Sequence, residues 1–218
     1  MQQFKLWDGA VRLFHWSQVA LLGGLWWSAE QEYYNLHMVL AYSLASVLLA
    51  RLIWAVVGSE NARFSHFVKS PATVWRFIRQ PSAVEGHNPL SGYMIVALLL
   101  LVLAQFVTGL MTTDDVFTEG PLVAVVDSQW VQWASAFHRW NLDILLALVA
   151  IHVLAALIHQ WRGDKIISAM LHGKKALTTP VGGFKAVGWY VLLVGVIAAG
   201  LFSWQGYIPL QALIAGQW

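Results

Sequence analysis

FHRWNLDILLALVAIH, residues 137–152, is an apolar run with one histidine near its start and another at its end. At about 100° per residue, the fourteen steps from His138 to His152 turn a helix through about 1400°, leaving the two imidazoles about 40° apart in azimuth. They share one face. A rise of 1.5 Å per residue separates them by roughly 21 Å along the axis, which reads as two sites at two depths. Ionisable side chains inside a membrane span are costly, usually face the bundle interior, and mark functional positions.

The rest of the chain agrees with a membrane setting. Of its 218 residues, 58% are hydrophobic and only 11% charged, against roughly 25% charged in an ordinary soluble domain. Mean hydropathy is +0.60. The formal charge of +2 is a small surplus, not a basic nucleic-acid-binding surface. Cysteine is absent, which removes disulfides, thiolate metal sites, iron–sulfur ligation and covalent c-type haem attachment. The N-terminal MQQFKLWDGAVRLFHW has no small-residue cleavage site and is expected to lead into a retained first span.

A helix needs roughly 20 apolar residues to cross about 30 Å of hydrocarbon. Five stretches qualify approximately: 11–29, 36–57, 91–111, 137–160 and 187–208. The short connection at 30–35 and the medium one at 112–136 make two hairpins, joined by the long connection 58–90. Lys5, Arg12, Arg63, Lys69, Arg76, Arg79, Arg162, Lys165, Lys174, Lys175 and Lys185 gather before the first span and in the second and fourth connections. Glu30, Glu32, Asp114, Asp115, Glu119 and Asp127 occupy the other two connections, without Lys or Arg. Because Lys and Arg favour the cytoplasmic side, the N-terminus is expected inside and the C-terminus outside. Two short interfacial helices are expected on the cytoplasmic side, one capped by Ser70 with Pro71 at its first position, one capped by Asp164 and ending at Gly173.

Depth pairs the histidines. His37 opens span 2 at the outer depth of His138, and His15 lies about 20 Å below the outer end of span 1, near the depth of His152. His159 shares the face but sits about 31 Å from His138, and is the alternative inner residue. Facing pairs of imidazoles suit a planar macrocycle with two axial nitrogens, as in electron-transfer haem. Zinc would want three or four ligands in one cluster. Trp7, Trp26, Trp27, Trp130, Trp133 and Trp161 read as interface anchors. Gly23, Gly24 and Gly109 are consistent either with close porphyrin approach or with ordinary helix packing.

WDGAVRLFHW at the start, LHMVLAY opening span 2, RLIWAVVGSENARFSHFVKSP after it, GHNPLSG before span 3, the paired histidines of span 4 and the following GDKIISAML and GKK together resemble the bacterial cytochrome b561 family. That family overlaps with the b-type cytochrome subunits of nickel-iron hydrogenases. The resemblance implies an all-α transmembrane four-helix bundle holding two non-covalent b haems, over residues 1–175. It makes His15, His37, His138 and His152 the haem-iron ligands. Residues 176–218 depart from the pattern and form a linker and a fifth transmembrane helix without histidine. The resemblance also places His87 and Asn88 beside the inner haem or a quinone pocket, against a plain turn set by Pro89. Arg51 either meets a haem propionate or snorkels to the headgroups, whereas Arg139 is the outer propionate candidate and Asp143 its i, i+4 partner.

The expected function is electron transfer across the bacterial inner membrane, between a quinone pool and a partner redox protein such as a periplasmic c-type cytochrome. The alternative is a superoxide-oxidising quinone reductase, although acidic outer loops would repel that anion. The choice between carrier and quinone-linked oxidoreductase stays open at this point. A haem-free channel would call for broken helices or inverted repeats, and the sequence offers neither. Lipid and quinone are expected partners, and nucleic acid is not.

Overall fold

A computed structural model describes residues 2–80, 89–114, 118–177 and 182–218. Helix α1 (Gly9–Glu30) starts where Asp8, in extended conformation, accepts a hydrogen bond from the Val11 amide at 2.6 Å. Such a cap satisfies an N–H that the first turn leaves without a helical partner. Three residues turn the chain into α2 (Tyr34–Val57), with Glu32 in the left-handed region at φ 57°. The expected 30–35 hairpin is therefore tighter than the hydropathy boundary suggests.

After the turn at residues 60–62 come α3 (Phe64–Phe67) and α4 (Pro71–Arg79), the latter capped by Ser70 as expected, through the Thr73 amide at 3.3 Å. Helix α5 (Pro89–Gly109) and helix α6 (Ser128–Trp161) form the second hairpin. Asp127 caps α6 by accepting from the Gln129 amide at 2.8 Å, so that the helix begins nine residues before the expected span. At 34 residues, α6 is about 51 Å long, well beyond the hydrocarbon thickness. Helix α7 (Ile166–His172) ends at Gly173, whose φ of 80° is the left-handed C-cap that glycine adopts at low cost. Asp164 is not its cap: Lys165 holds that position without a side-chain bond, while Asp164 pairs with Lys175 and His159.

Helices α8 (Val187–Leu201) and α9 (Tyr207–Ile214) run on through a π-helical turn at Phe202–Gly206. Four helical segments are long and apolar enough to cross a membrane: Tyr34–Val57, Pro89–Gly109, Ser128–Trp161 and Val187–Ile214. Helix α1 has the length, at 22 residues, but Arg12, His15, Gln18 and Glu30 make it less apolar than those four.

One feature was not expected. Strand β1 (Gln2–Lys5) pairs antiparallel with β2 (Lys174–Leu177), in the register Phe4 opposite Lys175. The same end of the molecule collects α7 and the start of the fifth span. Arg12 donates to the Met170 and Leu171 carbonyls of α7, and the Lys185 amide donates to Ser59 at 2.9 Å. This is the strand end; the α1–α2 turn and the described residues 110–114 and 118–127 form the far end.

Helix α2 is the spine. Leu44, Leu48, Trp54, Leu99, Val102 and Leu145 are buried in one core with Phe14 and Tyr190. The backbone packs closely between α1 and α2, α5 and α6, α2 and α5, and α2 and α8. Among the described residues α6 makes no comparably close packing with α1 or α2. Side chains projecting from α6 toward the first hairpin therefore cross a wider separation.

Candidate functional site

At the far end, His37 and His138 are held by matching devices in the two hairpins. His37 Nδ1 lies 3.0 Å from the Leu25 carbonyl and 3.3 Å from Ser28 Oγ of α1. His138 Nδ1 lies 3.0 Å from the Gln105 carbonyl and 3.3 Å from Thr108 Oγ1 of α5. A carbonyl only accepts, so each Nδ1 carries the hydrogen, and Nε2 keeps its lone pair for a metal. Gly109 permits the His138 pose, since a Cβ there would meet Cε1 at 3.0 Å.

His15 on α1 and His152 on α6 meet nearer the strand end, their ring centroids 6.4 Å apart and their planes inclined at 50°. Metal–imidazole bonds of about 2 Å, plus roughly 1 Å from each nitrogen to its ring centre, set centroids about 6 Å apart when two imidazoles flank one metal. His15 Nδ1 is buried without a hydrogen-bond partner. The structure thus brings His15 and His152 together and places His37 and His138 at the same far end of the molecule. His159 goes elsewhere, to Asp164 at 3.2 Å on a half-exposed surface.

Two further expectations are corrected. Arg51 does not snorkel: it is 4% exposed, donates to the Ala62 carbonyl at 3.1 Å and lies between the Phe14 and Phe64 rings, with Nη1 unpartnered. Asp143 is exposed and forms no ion pair with Arg139 among the described residues. Arg139 instead lines a far-end cavity of about 420 Å³, together with Thr113, Glu119, Ser128, Gln132 and Ser135. His87 and Asn88 lie outside the described residues.

Sequence reasoning missed Ser28, Thr108 and Asn141. Asn141 is fully buried and ties α6 to α5 through the Leu101 carbonyl at 3.0 Å and Gln105 Oε1 at 2.6 Å. A polar residue three positions beyond His138, in the run 137–152 that holds no other amide, was the available signal.

The donor set fits haem. Imidazoles in twos, with the Nδ1 of His37 and of His138 each turned to a carbonyl so that Nε2 is left free, match a macrocycle that takes two nitrogen ligands. Among the described residues no three His, Cys, Asp or Glu side chains converge as an ion site would need.

A family model described as prokaryotic cytochrome b561 matches residues 6–173. A protein of Rhizobium leguminosarum bv. viciae named probable Ni/Fe-hydrogenase B-type cytochrome subunit is 26% identical over 164 residues, covering 64% of this chain and 67% of that protein. A protein of the same name from Bradyrhizobium diazoefficiens is 24% identical over 163 residues, covering 64% of each. The chain thus spans about two thirds of the length of these relatives. No solved structure matches the chain. Helices α8 and α9 fall outside the family match.

Proposed function

The chain belongs to the prokaryotic cytochrome b561 family, and from that premise we propose that it carries electrons across the membrane through two b haems. His37 with His138 would hold one, His15 with His152 the other. As a b-type cytochrome it works in electron transfer; the number of haems and the paths in and out are our reading. The observation that carries it is the 6.4 Å approach of His15 on α1 to His152 on α6, the helix that also bears His138.

Haem held between these histidines would supply a one-electron centre. The chain supplies the rest. Helix α6 holds one ligand of each pair at a fixed spacing. Leu25 and Gln105 orient the far-end imidazoles through their carbonyls, and Leu44, Leu48, Leu99 and Val102 pack into one buried apolar core that joins α2 to α5.

Residues 1–175 would form the di-haem unit, and 176–218 an added span. We place the strand end in the cytoplasm, because Lys5, Arg12, Arg63, Lys174, Lys175 and Lys185 gather there. Electrons would pass between quinone and a redox partner, either a c-type cytochrome or, by analogy with the relatives' names, a hydrogenase. The cavity beside Arg139 is the best candidate for the far-end exchange site, having room for a quinone ring and a cation for its carbonyl oxygen.

Reduced-minus-oxidised spectra with haem quantitation test the reading. Two b haems per chain are expected. His138→Leu and His152→Leu should each leave one. One haem in the unaltered protein, or unchanged haem content in either variant, would overturn it.

A further inference from the structure

We propose that Ser28 and Thr108 are positioning residues that give the far-end haem a lower reduction potential than the strand-end haem. The inference rests on the di-haem reading above. It starts from a repeated arrangement: in each hairpin the Nδ1–H of the far-end histidine faces a carbonyl at position i and a hydroxyl at i+3 of the preceding helix. The hydroxyls have already committed their own hydrogens. Ser28 Oγ donates to the Leu25 carbonyl at 3.1 Å, and Thr108 Oγ1 donates to the Ala104 carbonyl at 2.7 Å. Each oxygen therefore presents a lone pair, and each Nδ1–H is shared between two acceptors.

Both hydroxyl residues are buried, Ser28 at 0% and Thr108 at 3% exposure, so water does not screen the effect. Pulling on Nδ1–H shifts electron density toward Nε2 and makes the imidazole a stronger donor. A stronger donor favours ferric over ferrous iron, and hydrogen bonding around the ligands is one of the levers a protein has on haem potential. The strand-end pair lacks this support: His15 Nδ1 is buried without a partner, and His152 makes no hydrogen bond among the described residues. The same iron with the same ligand atoms is thus held in two electronic settings. An electron shared between the haems rests at the strand end, and transfer from far end to strand end is downhill.

The experiment is absorbance of the purified haem-loaded protein at a series of poised potentials, for the natural sequence and for Thr108→Val, Ser28→Ala, the double variant and Thr108→Ser. Valine matches threonine in shape and removes the hydroxyl, both its acceptor lone pair toward His138 and its donation to the Ala104 carbonyl. The expected result is two midpoints, the lower rising in Thr108→Val and Ser28→Ala, further in the double variant, with the upper unmoved and Thr108→Ser close to the natural protein. Movement of the upper midpoint, equal movement of both, or movement of neither overturns the proposal. Should the valine variant lose haem, His37→Leu gives a second measurement: its remaining strand-end haem must show the higher midpoint, and the lower one would overturn the proposal. Fewer than two haems in the unaltered protein would overturn the di-haem reading and this proposal together; two haems with the wrong ordering would overturn this proposal alone.

Discussion

Gly109 and Asn141 bear on His138 in different ways, one by having no side chain beside its ring and the other by tying α6 to α5 through Gln105, which in turn donates to the His138 carbonyl. A methyl group on Gly109 would lie 3.0 Å from His138 Cε1 and 3.4 Å from Nδ1, tighter than a rigid ring tolerates. Gly109→Ala should push the imidazole off the Gln105 carbonyl and lower haem content from two toward one per chain, measured by extracting and quantifying haem. Asn141 makes two interhelical hydrogen bonds, and such bonds in membranes contribute on average about 0.6 kcal/mol each. Asn141→Ala should therefore cost about 1 kcal/mol, read as a lower denaturant midpoint in detergent or bicelles, while both haems bind. If that variant loses the far-end haem with no loss of stability, Asn141 positions the ligand and does not tie the helices.

Among the helices, α8 and α9 pose the clearest question of dependence. Their polar tether to α2 is Tyr190, whose hydroxyl donates to the Val47 carbonyl at 3.0 Å while its ring meets Trp54 edge-on. No proposed ligand lies on them. A chain ending at Gly183 should keep both haems and melt at a lower temperature, and loss of the Soret band would show that the fifth span holds the site together. The sequence made these helices legible because apolar runs of span length have few other outcomes in water or lipid. It did not reveal the first nine residues of α6, SQWVQWASA, because serine, glutamine and tryptophan dilute the hydropathy although they form helix well enough. The pair of short strands was equally hidden: QQFK and KKAL carry no alternation that a pairing rule could recognise. Asp164 looked like a cap by position, but its carboxylate has a stronger claimant in Lys175, which only the folded chain brings near. The histidine pairs were legible in depth because helical rise is constant. The hydroxyls beside them were not, since a serine or threonine near a span end has many ordinary uses.

For the whole molecule, the side on which each segment emerges is the property most open to measurement. The chain has no cysteine, so single introduced cysteines report without background. Cysteines at Lys5 and Lys175, whose strands are paired, must react from one side of the membrane, and cysteines at Glu32 and Glu119 from the other. Labelling of Lys5 and Lys175 positions from opposite sides would be incompatible with the fold. That pairing also has a consequence in time. Residues 2–5 leave the ribosome well before their partners at 174–177, which follow only after α1, α2, α5 and α6 have been made. Through most of synthesis the first strand has nothing to bind. Its closure is a late, long-range event of the kind that slows folding, and it becomes a completion signal: protection of the N-terminal residues from protease should appear only once residue 177 has been added and the four helices before it are in place.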